Sequence, residues 1–167
     1  IGSFSFPAGV HTIKAWTKLP NGVADASAAN DSTRITIVAC NTLSGNYTIN
    51  KNLPASASNF TSFGAACLAL QSCGVGGPVT FTVAPNSGPY NEQVEFVNIP
   101  YASATNTITF EGSGNIITTT PGLRPGIIVL NGAKYITLNN FVVTLSSTAT
   151  TGWGVQLINA ADFNTIS

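Results

Sequence analysis

Charged side chains are scarce in this sequence. They make up only 7% of the 167 residues, and six basic residues balance six acidic ones, whereas soluble domains carry about 25% charged residues. A neutral chain without basic clusters argues against nucleic acid and anionic lipid as partners. Thr, Ser, Asn and Gly supply the polarity instead, a composition typical of extracellular β-rich proteins.

Methionine and a leader segment are also missing. The chain begins with Ile1, has no Met, and stops at Ser167 inside a patterned strand, so we expect it to be a fragment of a longer protein. No apolar run approaches the ~20 residues that a membrane-spanning helix requires, and no positively charged leader with an apolar core is present. The sequence therefore predicts no membrane insertion.

Histidine and cysteine are too few for common zinc sites. His11 is the single histidine, and His11 with three scattered cysteines gives no zinc-ligand spacing. Among the acidic residues after position 40, only Glu92 and Glu95 lie close in sequence. Three residues apart on a strand they point to opposite faces, ~10 Å apart along its axis, whereas a retaining glycosidase pair needs ~5 Å. We predict no catalytic, cofactor-binding or metal residues and no cofactor, and we assign Glu92 to hydrogen bonding with backbone N–H groups.

The three cysteines raise the question of a disulfide. Cys67 and Cys73 could close a local bond if the helix between them ends before Cys73, since six residues of unbroken helix would separate their Cα atoms by ~9 Å, beyond disulfide reach. Cys40 would then be left free or paired with a part of the protein outside this chain.

A repeat of 28 residues is the strongest pattern. Residues 127–141 and 155–167 share alternating apolar positions, an Asn followed by small residues, and an aromatic residue before the next short strand. This pattern predicts two successive coils of a parallel β-helix, the alternative being an antiparallel sandwich with similar hairpins. In the repeat, Asn131 and Asn159 should form an amide ladder, and Lys134 and Asp162 an ion pair.

A helical period appears only in residues 58–72. Phe60, Phe63, Cys67 and Leu70 form one apolar stripe, Ser58 or Asn59 could cap the start, and Gly74 could end the helix. We expect this helix to cover the open first coil, with Phe60, Phe63 and Leu70 as the plug. The alternative is a helix packed on the face of a sheet.

Alternating strands surround that helix. After it, the pattern predicts three strands with inward Val79, Phe81 and Val83, then Val94 and Phe96, then Ile108 and Phe110. Before it, residues 4–39 read as extended strands that resemble the last strands of an immunoglobulin-like module of bacterial surface proteins. We therefore predict two domains, residues 1–40 as an incomplete immunoglobulin-like module and residues 41–167 as the cap and first coils of a truncated β-helix.

A closer resemblance covers about two thirds of the chain. The matching motifs are YTIN at 47–50, the helix with Phe60 and Phe63, GPVTFTVAP at 77–85, YNEQVEF at 90–96, ATNTITFEG at 104–112, and the later 127–141. They resemble the opening of the pectin-lyase-like β-helix in large secreted surface proteins of Bacteroidota. The resemblance implies an all-β fold with a right-handed parallel β-helix, export by the type IX pathway, and a place on the cell surface or in the extracellular matrix.

Three functional hypotheses follow. The first is a non-catalytic adhesin or structural protein that contacts surface glycans or another protein chain through a Thr/Ser/Asn-rich face. The second is the N-terminal part of a β-helix polysaccharide lyase or glycoside hydrolase with its active site beyond residue 167. The third is a subunit of an extracellular filament, a homo-polymer in which a neighbouring chain completes the N-terminal strands. Ser32, in Asp31-Ser32-Thr33, also fits a short O-glycosylation pattern of Bacteroidota.

Overall fold

The computed structural model describes residues 5–18, 22, 32–120, 124–147 and 150–167. The chain divides into two compact units, Ile1–Asn41 and Thr42–Ser167. The described residues form thirteen strands and one helix: β1 (Gly9–Trp16), β2 (Ser32–Ala39), β3 (Leu43–Ile49), β4 (Asn59–Phe60), α1 (Phe63–Cys73), β5 (Val75–Val83), β6 (Val94–Phe96), β7 (Ile108–Glu111), β8 (Ile116–Thr119), β9 (Gly126–Asn131), β10 (Ile136–Asn139), β11 (Val142–Leu145), β12 (Trp153–Ile158) and β13 (Thr165–Ile166).

The first unit is an antiparallel hairpin. Strands β1 and β2 pair along their whole length, from Gly9 opposite Ala39 to Trp16 opposite Ser32. Both strands alternate apolar and polar residues, as the sequence predicts, yet both faces of the sheet are largely exposed.

The second unit contains three parallel sheets. The largest has six strands in the order β13-β10-β7-β5-β3-β4, and two smaller sheets have the orders β12-β9-β6 and β11-β8. Every pair of strands in these sheets is parallel. The connections are therefore crossovers between sheets, because parallel neighbours cannot be joined by a tight hairpin turn.

The predicted fold class is wrong. In the described part of the chain we find no single right-handed parallel β-helix preceded by a partial immunoglobulin-like sandwich, but four small separate sheets, one antiparallel and three parallel. The physical reason is that the strands do not follow one period. Paired residues are 28 positions apart between β7 and β10, 26 between β8 and β11, and 34 between β6 and β9 (Ile108 with Ile136, Ile116 with Val142, Val94 with Ile128).

The 28-residue repeat itself is matched only in part. Thr137 pairs with Thr165, which is 28 positions later. Ile128, however, pairs with Val155, which is only 27 positions later, whereas the repeat would pair Val155 with Ile127. The corner after β9 has left-handed backbone at Gly132, whereas the corner after β12 has it at both Asn159 and Ala160.

Aromatic rings fill the core of the second unit. Phe81 and Phe110 are register partners on β5 and β7, and their rings stack with centroids 4.7 Å apart. Tyr47 stacks on the other side of Phe81 at 5.4 Å, and Phe96 meets Phe110 edge-on at 5.1 Å. Phe81, Phe96 and Phe110 are almost completely buried. Burial of a large apolar side chain contributes roughly 1.5–3 kcal/mol, so this cluster contributes several kcal/mol to the stability of the unit.

Helix α1 covers one side of this core. It begins later than predicted, because Ser62 and not Ser58 or Asn59 is the N-cap, with its Oγ accepting a hydrogen bond from the Ala65 N–H (3.0 Å). Gly74 ends the helix with φ +70°, and a Cβ there would lie 2.7 Å from the carbonyl oxygen of Pro100. Of the three predicted plug residues, Phe63 and Leu70 are buried on α1, whereas Phe60 lies on β4.

Candidate functional site: the outward polar face of the six-stranded sheet

The outer side of the six-stranded sheet is polar. Val79, Phe81 and Val83 of β5 are buried, so the alternation of strand side chains places Thr80 and Thr82 on the opposite side. The same alternation holds on the neighbouring strands. We call the resulting set the outward polar face: Asn46, Thr48, Thr80, Thr82, Thr109, Glu111, Thr137, Asn139, Thr165 and Ser167.

These residues form two columns across the strands. One column runs from Asn46 through Thr80, Thr109 and Thr137 to Thr165, each directly opposite the next. Neighbouring strands are about 4.8 Å apart, and residues two apart on a strand about 6.6 Å. The face is therefore a regular array of hydroxyl, methyl and amide groups that carries a single charge, Glu111.

Hydrogen bonds hold the second column in place. Asn139 Nδ2 donates to Glu111 Oε2 (2.6 Å), and Ser167 Oγ donates to Asn139 Oδ1 (2.8 Å). At the other side of the sheet, Thr48 Oγ1 donates to Asn59 Oδ1 (2.8 Å). Because these side chains are already connected, the column can meet a partner with little loss of side-chain entropy.

An aromatic pair lies beside the outward polar face. Tyr135 and Phe163 precede β10 and β13, have φ values of 61° and 59°, and stack almost parallel with ring centroids 5.1 Å apart. The predicted ion pair stands next to them, with Lys134 Nζ 3.5 Å from Asp162 Oδ2. Exposed aromatic rings next to hydroxyl and amide groups are suited to contact with sugars or with protein.

Glu95 in β6 and Glu92 just before it accept hydrogen bonds from other groups of the protein. Glu92 accepts hydrogen bonds from the backbone N–H groups of Phe63 (2.9 Å) and Gly64 (2.8 Å), which confirms its assignment to backbone hydrogen bonding and stabilises the start of α1. Glu95 Oε1 accepts from Arg124 Nε (2.8 Å) and Asn131 Nδ2 (2.7 Å). Glu92 thus connects the segment before β6 to the start of α1, and Glu95 connects β6 to Arg124 and to Asn131 of β9.

The predicted amide ladder is confirmed. Asn159 Nδ2 donates to Asn131 Oδ1 (2.6 Å), and Asn131 in turn donates to Glu95. The ladder thus ends on a carboxylate that also binds Arg124, and it connects all three strands of the sheet β12-β9-β6.

Cys67 lies in a groove between α1 and β6. The groove has a volume of about 220 Å³, and Gln71 and Glu95 contribute to its lining. The Cys67 thiol donates to the Glu95 carbonyl oxygen (3.1 Å) and accepts from Gln71 Nε2 (2.9 Å). Burial raises the pKa of the thiol to about 12. At neutral pH it is protonated, and a protonated thiol is a poor nucleophile.

The predicted disulfide between Cys67 and Cys73 is wrong. Cys67 is a free thiol, while Cys73 is disulfide-bonded, as is Cys40 in the first unit. The reason is that α1 continues as far as Cys73, so the two cysteines stay about 9 Å apart along the helix axis. The condition on which the prediction depended, a helix ending before Cys73, does not hold.

Two further predictions concern the O-glycosylation site and metal binding. Ser32, the predicted O-glycosylation site, is the exposed first residue of β2, opposite Trp16, and Asp31 of its motif lies outside the described residues. Within the ranges that the structure describes, no three His, Cys, Asp or Glu side chains come together to hold a metal ion.

The comparisons with known proteins gave no match. No protein-family model fits the sequence, and no curated protein or solved structure proved significantly similar to it. In the described ranges, no helix combines the length and hydropathy needed to span a membrane.

Sequence reasoning found two residues of the outward polar face, Thr80 and Thr82, but not the arrangement of the face. Alternation shows that Thr80 and Thr82 face away from the core. It does not show that β5 lies between β3 and β7, which places Asn46 and Thr109 beside Thr80. The motifs NYT, TFT, TFE, TLN and TIS could have given a signal, since each carries one polar, one apolar and one polar residue in the same order.

Proposed function

We propose that this chain belongs to a non-catalytic extracellular surface protein, an adhesin or structural component, and that the outward polar face is its contact surface. The observation that supports this most is the array itself: four neighbouring strands each present two polar side chains on the same side, and β13 adds Thr165. Hydroxyl and amide groups in a fixed array can both donate and accept hydrogen bonds, as the hydroxyl groups of a glycan require.

The environments of the ionisable groups agree with contact rather than catalysis. The carboxylates of Glu92 and Glu95 each bind two donors of the protein. Glu111 binds both Asn139 and the Ser113 N–H. The buried thiol of Cys67 is protonated at neutral pH, since its pKa is raised to about 12. The low charge, the Thr/Ser/Asn-rich composition and the resemblance to secreted Bacteroidota surface proteins support a place outside the cell.

Binding to insoluble polysaccharides tests this function. We expect the chain to be retained on at least one of chitin, cellulose or bacterial peptidoglycan, and Thr137→Lys, in the middle of the outward polar face, to reduce retention at least tenfold. Thr144→Lys is the matched control, since Thr144 is an exposed threonine on β11 of another sheet. Equal losses in both variants, no retention on any of the three, or release of soluble oligosaccharides would contradict the proposal.

A filament subunit is the second candidate function, and the first unit favours it. Val10, Trp16 and Val38 lie on one side of the β1–β2 hairpin and are 71%, 67% and 74% exposed. A two-stranded sheet is marginally stable alone, and a neighbouring chain that packs strands on this side of the hairpin would cover these side chains. Electron microscopy of concentrated protein should then show filaments, and Val38→Lys should prevent them.

A further inference from the structure

Two cations lie side by side on the hairpin of the first unit. Three of the six basic residues of the chain, Lys14, Lys18 and Arg34, belong to this unit. Lys14 and Arg34 are far apart in sequence, but the antiparallel register places them directly opposite each other on β1 and β2. Side chains in that position have Cβ atoms about 4.5–5.5 Å apart. Strand pairing therefore builds a doubly positive pair that the sequence alone does not show.

No counter-charge for this pair is found in the described ranges. Lys14 and Arg34 are both exposed, and the ion pairs of the described residues are formed in the second unit. The acidic residues of the first unit, Asp25 and Asp31, lie outside the described residues. Like charges directly opposite each other destabilise a strand pair. Natural sequences break such local rules mainly at functional sites, so we looked for a ligand that turns the repulsion into attraction.

An exposed tryptophan lies beside the pair. Trp16 follows Lys14 by two residues on β1, so it is on the same side of the hairpin, about 6.6 Å further along the strand. It is 67% exposed. On the other flank of the pair, Thr12 and Thr36 are directly opposite each other and add two hydroxyl groups. We call the surface formed by Thr12, Lys14, Trp16, Arg34 and Thr36 the cationic hairpin face.

The charges of this face decide what can pack on it. Burying a cation without a counter-charge is costly. Any segment or neighbouring chain that covers the cationic hairpin face must therefore bring an anion or leave Lys14 and Arg34 in water. This requirement does not depend on what else the hairpin packs against, and it makes an anionic ligand the partner that fits the face.

We propose that the cationic hairpin face binds an acidic polysaccharide, with a sugar ring on Trp16 and a carboxylate or sulfate group between Lys14 and Arg34. The planar guanidinium of Arg34 can donate two parallel hydrogen bonds to two oxygens of such a group, and Lys14 adds a compact positive charge. The indole ring of Trp16 offers a flat apolar surface with a polar edge to the sugar. This site goes beyond the function proposed above, because it adds an acidic ligand and a contact surface on the first unit.

The number of cations favours a polysaccharide over a denser polyanion. DNA carries one negative charge per ~1.7 Å of its axis, and anionic lipid surfaces are recognised by clusters of about 4–8 Lys or Arg residues. The cationic hairpin face offers Lys14 and Arg34, with Lys18 beyond the end of β1. A polysaccharide in which each acid group is surrounded by neutral hydroxyl groups matches two cations flanked by threonines and a tryptophan.

Binding of the full chain to immobilised alginate, a polysaccharide with one carboxylate per sugar, tests the proposal by biolayer interferometry. We expect binding that weakens as salt rises from about 50 to 500 mM. Lys14→Gln and Arg34→Gln should each weaken it about fivefold or more at the lower salt concentration, because each removes a charged hydrogen-bond donor. Lys51→Gln is the matched control, since it removes the same charge from the second unit, and it should bind within about twofold of the wild type.

Further variants separate lost charge from lost folding. Lys14→Gln and Arg34→Gln remove repulsion within the hairpin, so amide hydrogen exchange in β1 and β2 should be no faster than in the wild type. Lys14→Arg keeps the charge and should retain the binding. Trp16→Ala should weaken the binding but leave its salt dependence unchanged, because the ring carries no charge.

Three results would overturn the proposal. The first is a wild-type chain that binds neither alginate nor dextran sulfate. The second is a loss in Lys51→Gln equal to that in Lys14→Gln. The third is binding to vesicles that contain phosphatidylglycerol as tight as binding to alginate, which would make the face a membrane contact. Thr137→Lys, which tests the outward polar face, should not reduce alginate binding, so the failure of one proposal does not decide the other.

Discussion

The two units of this chain contain the same kind of alternating strand but differ in how deeply the apolar side chains of those strands are buried. In the first unit Val10 opposite Val38 is a well-formed antiparallel pair, yet both side chains are more than 70% exposed. In the second unit Phe81 opposite Phe110 is a parallel pair, and both side chains are 0% exposed. Strand pairing occurs in both units, but among the described residues the buried core belongs to the second.

The difference teaches that backbone pairing and apolar burial contribute separately to the stability of the folded chain. The net contribution of a backbone hydrogen bond is only about 0.5–1.5 kcal/mol, and a two-stranded sheet has little else to offset its loss of conformational entropy. Three parallel sheets whose inward side chains meet can bury twenty or more large apolar groups. We therefore expect the second unit to dominate the stability of the chain.

The largest expected effect comes from the centre of the aromatic cluster. Phe110→Ala removes a ring that contacts Phe81 at 4.7 Å and Phe96 at 5.1 Å, and it should lower the free energy of unfolding by about 3–5 kcal/mol. Val38→Ala, in the first unit, should lower it by less than about 0.5 kcal/mol. Urea denaturation followed by circular dichroism measures both, and losses of similar size would show that the two units do not differ as described.

The next effect comes from a buried amide. Asn115 is 6% exposed, its Oδ1 accepts from the Gly88 N–H, and its Nδ2 donates to the carbonyl oxygens of Ala84 and Gly112. Asn115→Ala leaves these groups without that partner and should lower the free energy of unfolding by about 2–3 kcal/mol. The exposed Asn91 provides the control, because Asn91→Ala should have almost no effect in the same urea titration. A loss below about 0.5 kcal/mol for Asn115→Ala would mean that water replaces the amide.

The sequence predicts individual strands of the second unit better than their assembly. Val79, Phe81, Ile108 and Phe110 are buried as predicted, because the burial of alternate side chains is what produces the pattern. Which strand lies beside which depends on loop lengths and corners that carry little apolar signal. The corner after β12, for example, has left-handed backbone at Ala160, which alanine rarely adopts.

The candidate site shows the same limit. The sequence predicts the outward direction of Thr80, the ion pair of Lys134 with Asp162, and the role of Glu92. It does not predict that Glu111 and Asn139 become neighbours, since Asn139 lies in the detected repeat but Glu111, 28 residues earlier, lies outside it. Nor does it fix the disulfide, because the exact end of α1 decides whether Cys67 can reach Cys73.

A smaller effect is the pH dependence of the stability of the second unit, which contains Cys67. The Cys67 thiol has an ordinary pKa of 9.0 when unfolded, and burial raises its pKa to about 12 in the folded chain. The folded state therefore holds this proton more tightly, so the contribution of Cys67 to stability is complete below pH ~9 and is lost as the pH rises toward 12. The stability advantage of the wild type over Cys67→Ala should fall by about 1.4 kcal/mol for each pH unit above ~9.

Urea titrations at pH 7, 9 and 10 measure that advantage. All other side chains are the same in wild type and variant, so the difference between the two isolates Cys67. A difference that does not change between pH 7 and pH 10 would contradict the buried, protonated thiol.

The smallest effect concerns the hairpin itself. Lys14 on β1 lies directly opposite Arg34 on β2, and like charges in that position destabilise a strand pair. Lys14→Glu replaces the repulsion by an attraction and should stabilise the hairpin by about 0.2–1 kcal/mol, seen as up to about fivefold slower amide hydrogen exchange in β1 and β2. Lys18→Glu makes the same change of charge outside β1 and should leave exchange unaltered. Because no residue of β1 or β2 is buried, burial does not mask such a small effect. A change in Lys14→Glu no larger than that in Lys18→Glu would show that something other than strand pairing holds the hairpin.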